Sequence, residues 1–77
     1  MKELLTYIAQ NLVEHPEDVR VDEVPSGGET ILELRVNPGD MGKVIGRQGR
    51  IAKEIRALMR SVAQHKGQRV TVEIMDE

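Results

Sequence analysis

The chain contains no cysteine, tryptophan or phenylalanine, and its one aromatic residue is Tyr7. Without thiols there is no disulfide staple, no thiolate nucleophile and no thiolate metal ligand, a composition that favours a reducing, cytoplasmic setting. With so few aromatics, the stacking platforms on which RRM and OB-type modules lay unstacked bases cannot be built. Long apolar runs are also missing. In "MKELLTYIAQNLVEHP" the polar residues Glu3, Thr6, Gln10 and Asn11 interrupt the apolar ones, so this segment reads neither as a signal peptide nor as a membrane span. No membrane partner is expected.

Catalytic constellations are absent as well. The pattern G-x-x-x-x-G-K-[ST] does not occur, because Gly42-Lys43 has no upstream glycine at the required spacing and no following Ser or Thr; G-x-G-x-x-G is missing too. His15 and His65 lack cysteine partners and metal-ligand spacing, so both read as helix-end residues. Ser26 sits in a glycine turn and Ser61 on a helix, neither beside a base. The expectation is a non-enzyme with no metal and no cofactor.

What is present is one small domain, residues 1–77, which buries roughly 60–65% of its unfolded surface and has room for one core and one site. Net charge is −2, but it is unevenly placed. Between Met41 and Arg69 stand eight basic residues and one acid, Glu54, a net of +7, whereas the other 48 positions carry three basic residues and twelve acids, a net of −9. Such asymmetry suits one face built for an anion and an opposite face that repels it; a solvated helix with a chance sign bias is the plainer reading.

Periodicity divides the chain into six elements. Leu4, Leu5, Ile8, Ala9, Leu12 and Val13 predict an amphipathic helix over 2–14, stopped by His15-Pro16. "DVRVDEV" reads as a strand, "PSGGET" as a turn, and "TILELRV" as a second strand with Leu32, Leu34 and Val36 on one face. Together they predict a hairpin with a loop longer than the tightest type. "NPGD" breaks the strand, with Asp40 available to cap "MGKVI", one or two helical turns. Beyond Gly49, the residues Ile51, Ala52, Ile55, Leu58, Met59, Val62 and Ala63 fall within an arc of about 140°, with Arg50, Lys53, Arg56 and Arg60 on the other side. Gly67 is placed to terminate this helix, and "RVTVEIM" forms a last strand with Val70, Val72 and Ile74 inward. The order α-β-β-α-α-β closes most simply as a two-layer α+β sandwich, a three-stranded sheet covered on one face by three helices.

The turn Gly46-Arg47-Gln48-Gly49 then joins two helices. The second helix begins with amides that lack intrahelical partners, and they carry the positive end of its dipole. Glycines at both ends let a sugar-phosphate backbone approach without meeting a Cβ. Arg47 and Gln48 point outward between them, with Lys43, Arg50 and Lys53 nearby. An ordinary helix-turn-helix corner would look the same. G-x-x-G alone is weak, because a second copy, Gly39-Asp-Met-Gly42, carries no assigned role.

Context adds weight to the motif. G-x-x-G between two helices, preceded by Val44-Ile45 and set in this element order, resembles the KH domain, which clamps about four nucleotides of single-stranded nucleic acid with this loop. The helix and strand ahead of the β-α-α-β core resemble the type II arrangement, and "VIGRQGRIAKEIR" in a chain of this length is similar to the KhpA family of small bacterial RNA-binding proteins. The resemblance implies a single-stranded RNA partner held by Lys43, Val44, Ile45, Gly46, Arg47, Gln48, Gly49, Arg50 and Lys53. Bases would lie against aliphatic side chains, with Val44, Ile45, Ile51 and Ile55 as candidates; Ile51 and Ile55 also share the core stripe, so each is open to either role. Ala52 stands where the KH pattern often has a larger aliphatic, and no base preference is carried over.

The resemblance further implies an RNA chaperone that influences gene expression, acting as a homodimer or with a larger KhpB/Jag-like KH protein, with links to cell-wall homeostasis and cell length. A second class of function fits the same residues: a protein-interaction subunit. Met59, Val62 and Ala63 would extend past what three strands can cover and favour dimerisation.

Overall fold

Apolar residues at every second position over 32–36 and 70–74 give two strands one oily face each, and that face has to be covered. The computed structural model describes residues 1–76. Helix α1 (Lys2–Gln10) is followed by strands β1 (Arg20–Ser26) and β2 (Glu29–Arg35), the short helix α2 (Met41–Ile45), the long helix α3 (Arg50–His65) and strand β3 (Val70–Ile74). Single 3-10 turns at Pro16–Asp18, Pro38–Asp40 and Arg47–Gly49 link them. The sheet order is β1-β2-β3, with β1 antiparallel and β3 parallel to β2. A parallel return needs a crossover, and α2 and α3 supply it on one face. The α-β-β-α-α-β order and the α+β architecture are those expected.

The core joins Leu5 and Ala9 of α1, Val21 of β1, Leu32 and Leu34 of β2, Val72 of β3, and Ile55 and Met59 of α3. Helices α1 and α3 lie on the sheet, and α2 packs mainly on α3. The far end of α3 closes as foreseen: Gly67 takes φ 68°, its N–H bonds Gln64 O at 3.0 Å, and the Gln68 N–H bonds Ala63 O at 2.8 Å. These paired bonds satisfy the last carbonyls and turn the chain back toward β3.

Four expectations need correction. Helix α1 stops at Gln10, not at residue 14. The Asn11 side chain donates to Tyr7 O at 2.8 Å, beside the Asn11 N–H that bonds the same carbonyl at 3.2 Å, and Leu12, past the end of the helix, is left at the surface. The hairpin is of the tightest type, since Ser26 pairs with Glu29 and only Gly27 and Gly28 turn the chain, with φ 55° and 86°. Two successive positive φ angles match the twist of the flanking strands. Pro25 therefore lies in β1, where its missing N–H leaves no gap. Its partner Thr30 donates toward β3, to Arg69 O at 2.9 Å, so the Pro25–Thr30 pair is not hydrogen-bonded.

Asp40 does not cap α2 with its side chain; its carboxylate turns instead to His15. Finally, Met59 and Ala63 do not overhang the sheet. Both are buried and Val62 is half-buried, because they face the sheet along the middle of the stripe, while Leu58 on its flank is 48% exposed. Met59→Ala is expected to cost about 2–5 kcal/mol of unfolding free energy by denaturant titration, and Leu58→Ser far less; equal costs would contradict this packing.

Candidate nucleic-acid interface

Valine at position 44 is fully buried and fixes α2 against the body of the fold, five residues being too few to hold a helix alone. The chain leaves α2 through Gly46, whose N–H bonds Gly42 O at 2.9 Å and whose backbone sits at φ 77°, ψ 173°, a region essentially confined to glycine. A Cβ there would lie 2.6 Å from Ile51 Cγ1 and 2.9 Å from the Ile51 backbone nitrogen. Gly46 thus permits a close approach of the turn to the first turn of α3.

Gln48 and Gly49 follow in left-handed conformations, with φ 58° and 75°. The Gly49 N–H bonds Gly46 O at 3.1 Å, and the Arg50 N–H bonds Arg47 O. The Arg50 N–H at the start of α3 is thereby paired, while the consecutive amides of Arg47 and Gln48 have no partner among the described residues. Successive N–H groups in such a bent segment form a concavity suited to an anion. Gly49, unlike Gly46, has open space where a Cβ would be.

Basic residues stand on the turn and along α3. Arg47, Arg50, Lys53 and Arg60 are exposed and have no ion-pair partner among the described residues. Lys43 lies 3.8 Å from Glu14. Arg56 donates its Nε to Val72 O at 3.3 Å, joining the basic flank of α3 to the open edge of β3. On the opposite face of the sheet Asp22, Glu33 and Glu73 line up across the three strands, with Arg35 held to Asp22 and Glu33 at 3.1 and 3.5 Å. The uneven charge of the sequence is thereby sorted onto two faces.

The aliphatic candidates separate. Ile45 and Ile51 are half-buried beside the turn, whereas Val44 and Ile55 are core residues, which support the turn from beneath and present no side-chain surface. Sequence reasoning missed three contributors: Glu14, His15 and the Arg56 bond to β3. No local signal could have found the first two, because the whole β1–β2 hairpin separates them from α2 in sequence.

Gly46→Ala and Gly49→Ala should differ. The first adds a clash to a glycine-only conformation, a strain of about 1–3 kcal/mol before the clash is counted; the second adds only the left-handed penalty of about 1–2 kcal/mol. Denaturant titration of both variants should show the larger loss for Gly46→Ala, and the reverse order would refute the close approach to Ile51.

Comparison with known proteins places this geometry. The family described as KhpA/KhpB, KH domain, matches residues 2–74. Proteins named RNA-binding protein KhpA are similar over nearly the whole chain: that of Clostridium perfringens is 55% identical over 75 residues, 97% of this chain and 100% of the relative. That of Clostridium acetobutylicum is 53% identical with the same coverage, and that of Chlamydia pneumoniae 51% identical over 77 residues, 100% of this chain and 99% of the relative. No solved structure matches the chain. The glycine-bounded turn between two helices, the α+β order around it and the match across 2–74 converge: the chain belongs to the KhpA/KhpB KH-domain family.

Proposed function

We propose that this protein binds single-stranded RNA by seating a phosphate on the Arg47 and Gln48 amides, with Lys43, Arg47, Arg50 and Lys53 supplying the surrounding positive charge. The observation that carries the reading is the pair of adjacent amides in the turn that, like the neighbouring cations Arg47, Arg50 and Lys53, have no partner among the described residues. A phosphate gains directional hydrogen bonds from the backbone and long-range attraction from the side chains, and the acidic face of the sheet turns the strand away from the wrong side. Ile45 and Ile51 offer bases an apolar floor in place of aromatic stacking, and the open edge of β3, reached by Arg56, offers backbone groups to base edges. Support also comes from the relatives, which are named RNA-binding proteins.

A footprint of about four nucleotides binds weakly alone, so the protein acts as an RNA chaperone in paired form, as a homodimer or with a KhpB/Jag-like partner, gaining avidity through effective concentration. Leu58, 48% exposed on the outer flank of α3, is the large apolar residue that this helix offers for that pairing; Met59 and Ala63 are buried. Cytoplasmic action fits, and no helix of the described residues is long and apolar enough to cross a membrane.

Fluorescence anisotropy with a short labelled RNA pool across a salt series tests the first part. The wild type should bind with a log–log salt slope of about −0.7 per phosphate contacted, and Arg47→Asp/Gln48→Asp should bind at least tenfold more weakly while its circular dichroism stays unchanged. Equal binding by both would sink the phosphate-seat reading. For the pairing, Leu58→Glu should convert a dimer to monomer in sedimentation equilibrium without loss of helix, and an unchanged mass would exclude that flank.

A further inference from the structure

Asp40 is the one fully buried charged side chain among the described residues, 1% exposed. It stands where a capping carboxylate would stand, yet it makes no side-chain bond to the amides of α2. Its Oδ2 instead accepts the His15 backbone N–H at 3.0 Å and lies 3.0 Å from His15 Nδ1. One turn further along α2, Lys43 Nζ lies 3.8 Å from Glu14 Oε2. Two neighbouring residues of the α1–β1 connection therefore hold a five-residue helix at two points on one side, while Val44 holds it on another. Only Gly46 separates that helix from the Arg47 and Gln48 amides.

We infer that Asp40 is a positioning residue for the Gly46–Gly49 turn, and that the Glu14–His15 segment clasps α2 through it, so that the aim of the turn depends on the charge of His15. A buried carboxylate is tolerated only when its hydrogen bonds are met, and here both bonds to Oδ2 come from one residue lying 25 positions away. The contact thus ties α2 to the α1–β1 connection, which is remote from it in sequence. If the clasp opens, α2 keeps Val44 but loses its fixed N-terminus, and the free amides lose their common direction.

The groups facing His15 are Asp40 at the start of α2 and Glu17 and Asp18 in the adjoining 3-10 turn, with Glu14 and Lys43 beside the clasp. The hydrogen bond to Asp40 raises the His15 pKa above the ordinary histidine value, against a smaller effect of burial and with help from the three acids. Burial opposes ionisation of Asp40, but the His15 side chain and the amides of Glu14 and His15 outweigh it and hold its carboxyl below the usual range. Asp40 thus stays ionised near neutrality. The charged clasp is complete below the ordinary histidine value and weakens as pH rises through the raised one, where a neutral His15 still donates one hydrogen bond.

The inference rests on the RNA-binding reading, and its test separates the two. RNA affinity and the 15N–1H resonances of Gly46 and Gly49 are followed over roughly pH 5.5–8.5 at constant ionic strength, for wild type, His15→Gln, Asp40→Asn and the control His65→Gln. Wild type and His65→Gln should lose affinity as pH rises, on the order of fivefold, with the two glycine amides moving along the His15 titration. His15→Gln should be flat in both measurements, at the affinity of high-pH wild type. Asp40→Asn should be flat and no tighter; should it fail to fold, His15→Gln decides the question. A His15→Gln variant with the same pH profile and glycine shifts as wild type would overturn the inference. Glycine shifts that follow His15 in a protein that binds no RNA at any pH would sustain the clasp and refute the RNA reading.

Discussion

Ile55 and Met59 of α3 share one buried core with Leu32 and Leu34 of β2 and Val72 of β3, and the other features of the molecule hang on that packing. A helix of 16 residues, about 24 Å long, is set in rotation about its axis by whichever stripe it buries. Once Ala52, Ile55, Met59 and Ala63 face the sheet, Arg50, Lys53, Arg56 and Arg60 cannot do so and stand in solvent. The same rotation brings Arg56 to the edge of β3. Its two ends are then committed: the glycine-bounded turn at one, and at the other the Gly67 cap that returns the chain to pair with β2 in parallel.

Geometry and charge divide the work at the turn. Gly46 and Gly49 set the bend in which the Arg47 and Gln48 amides are left without a partner among the described residues, and Arg47, Arg50 and Lys53, unpaired among those residues, carry a field of longer reach. A net charge of −2 is no obstacle to this, because Asp22, Glu33 and Glu73 lie across the opposite face, partly neutralised by Arg35. What an approaching polyanion meets is the local sign, screened within a Debye length, and not the sum over the chain.

Helix α2 is the least self-sufficient element. It lies between a turn that needs exact placement and a connection with little regular structure, and it is held by one buried valine, one buried carboxylate and one longer ion pair. Burying Asp40 is tolerable because His15 satisfies it with both its backbone and its ring, which also makes the α1–β1 connection part of the platform beneath the turn.

Much of this was legible beforehand. Periodicity marks the faces of α3, β2 and β3, because burial repeats at 3.6 and 2.0 residues; Gly67 marks the end of α3, and Gly46 and Gly49 mark a turn whose backbone only glycine readily adopts. The sequence by itself thus determined the order of elements, the inward faces and the place of the glycine-bounded turn. Only the tertiary structure decided that Pro25 fits inside an edge strand, that the sheet covers Met59 and leaves Leu58, and that Asp40 serves His15 and not its own helix. Each of these depends on a partner brought from elsewhere in the chain or on the surface available beneath a residue, and local pattern encodes neither.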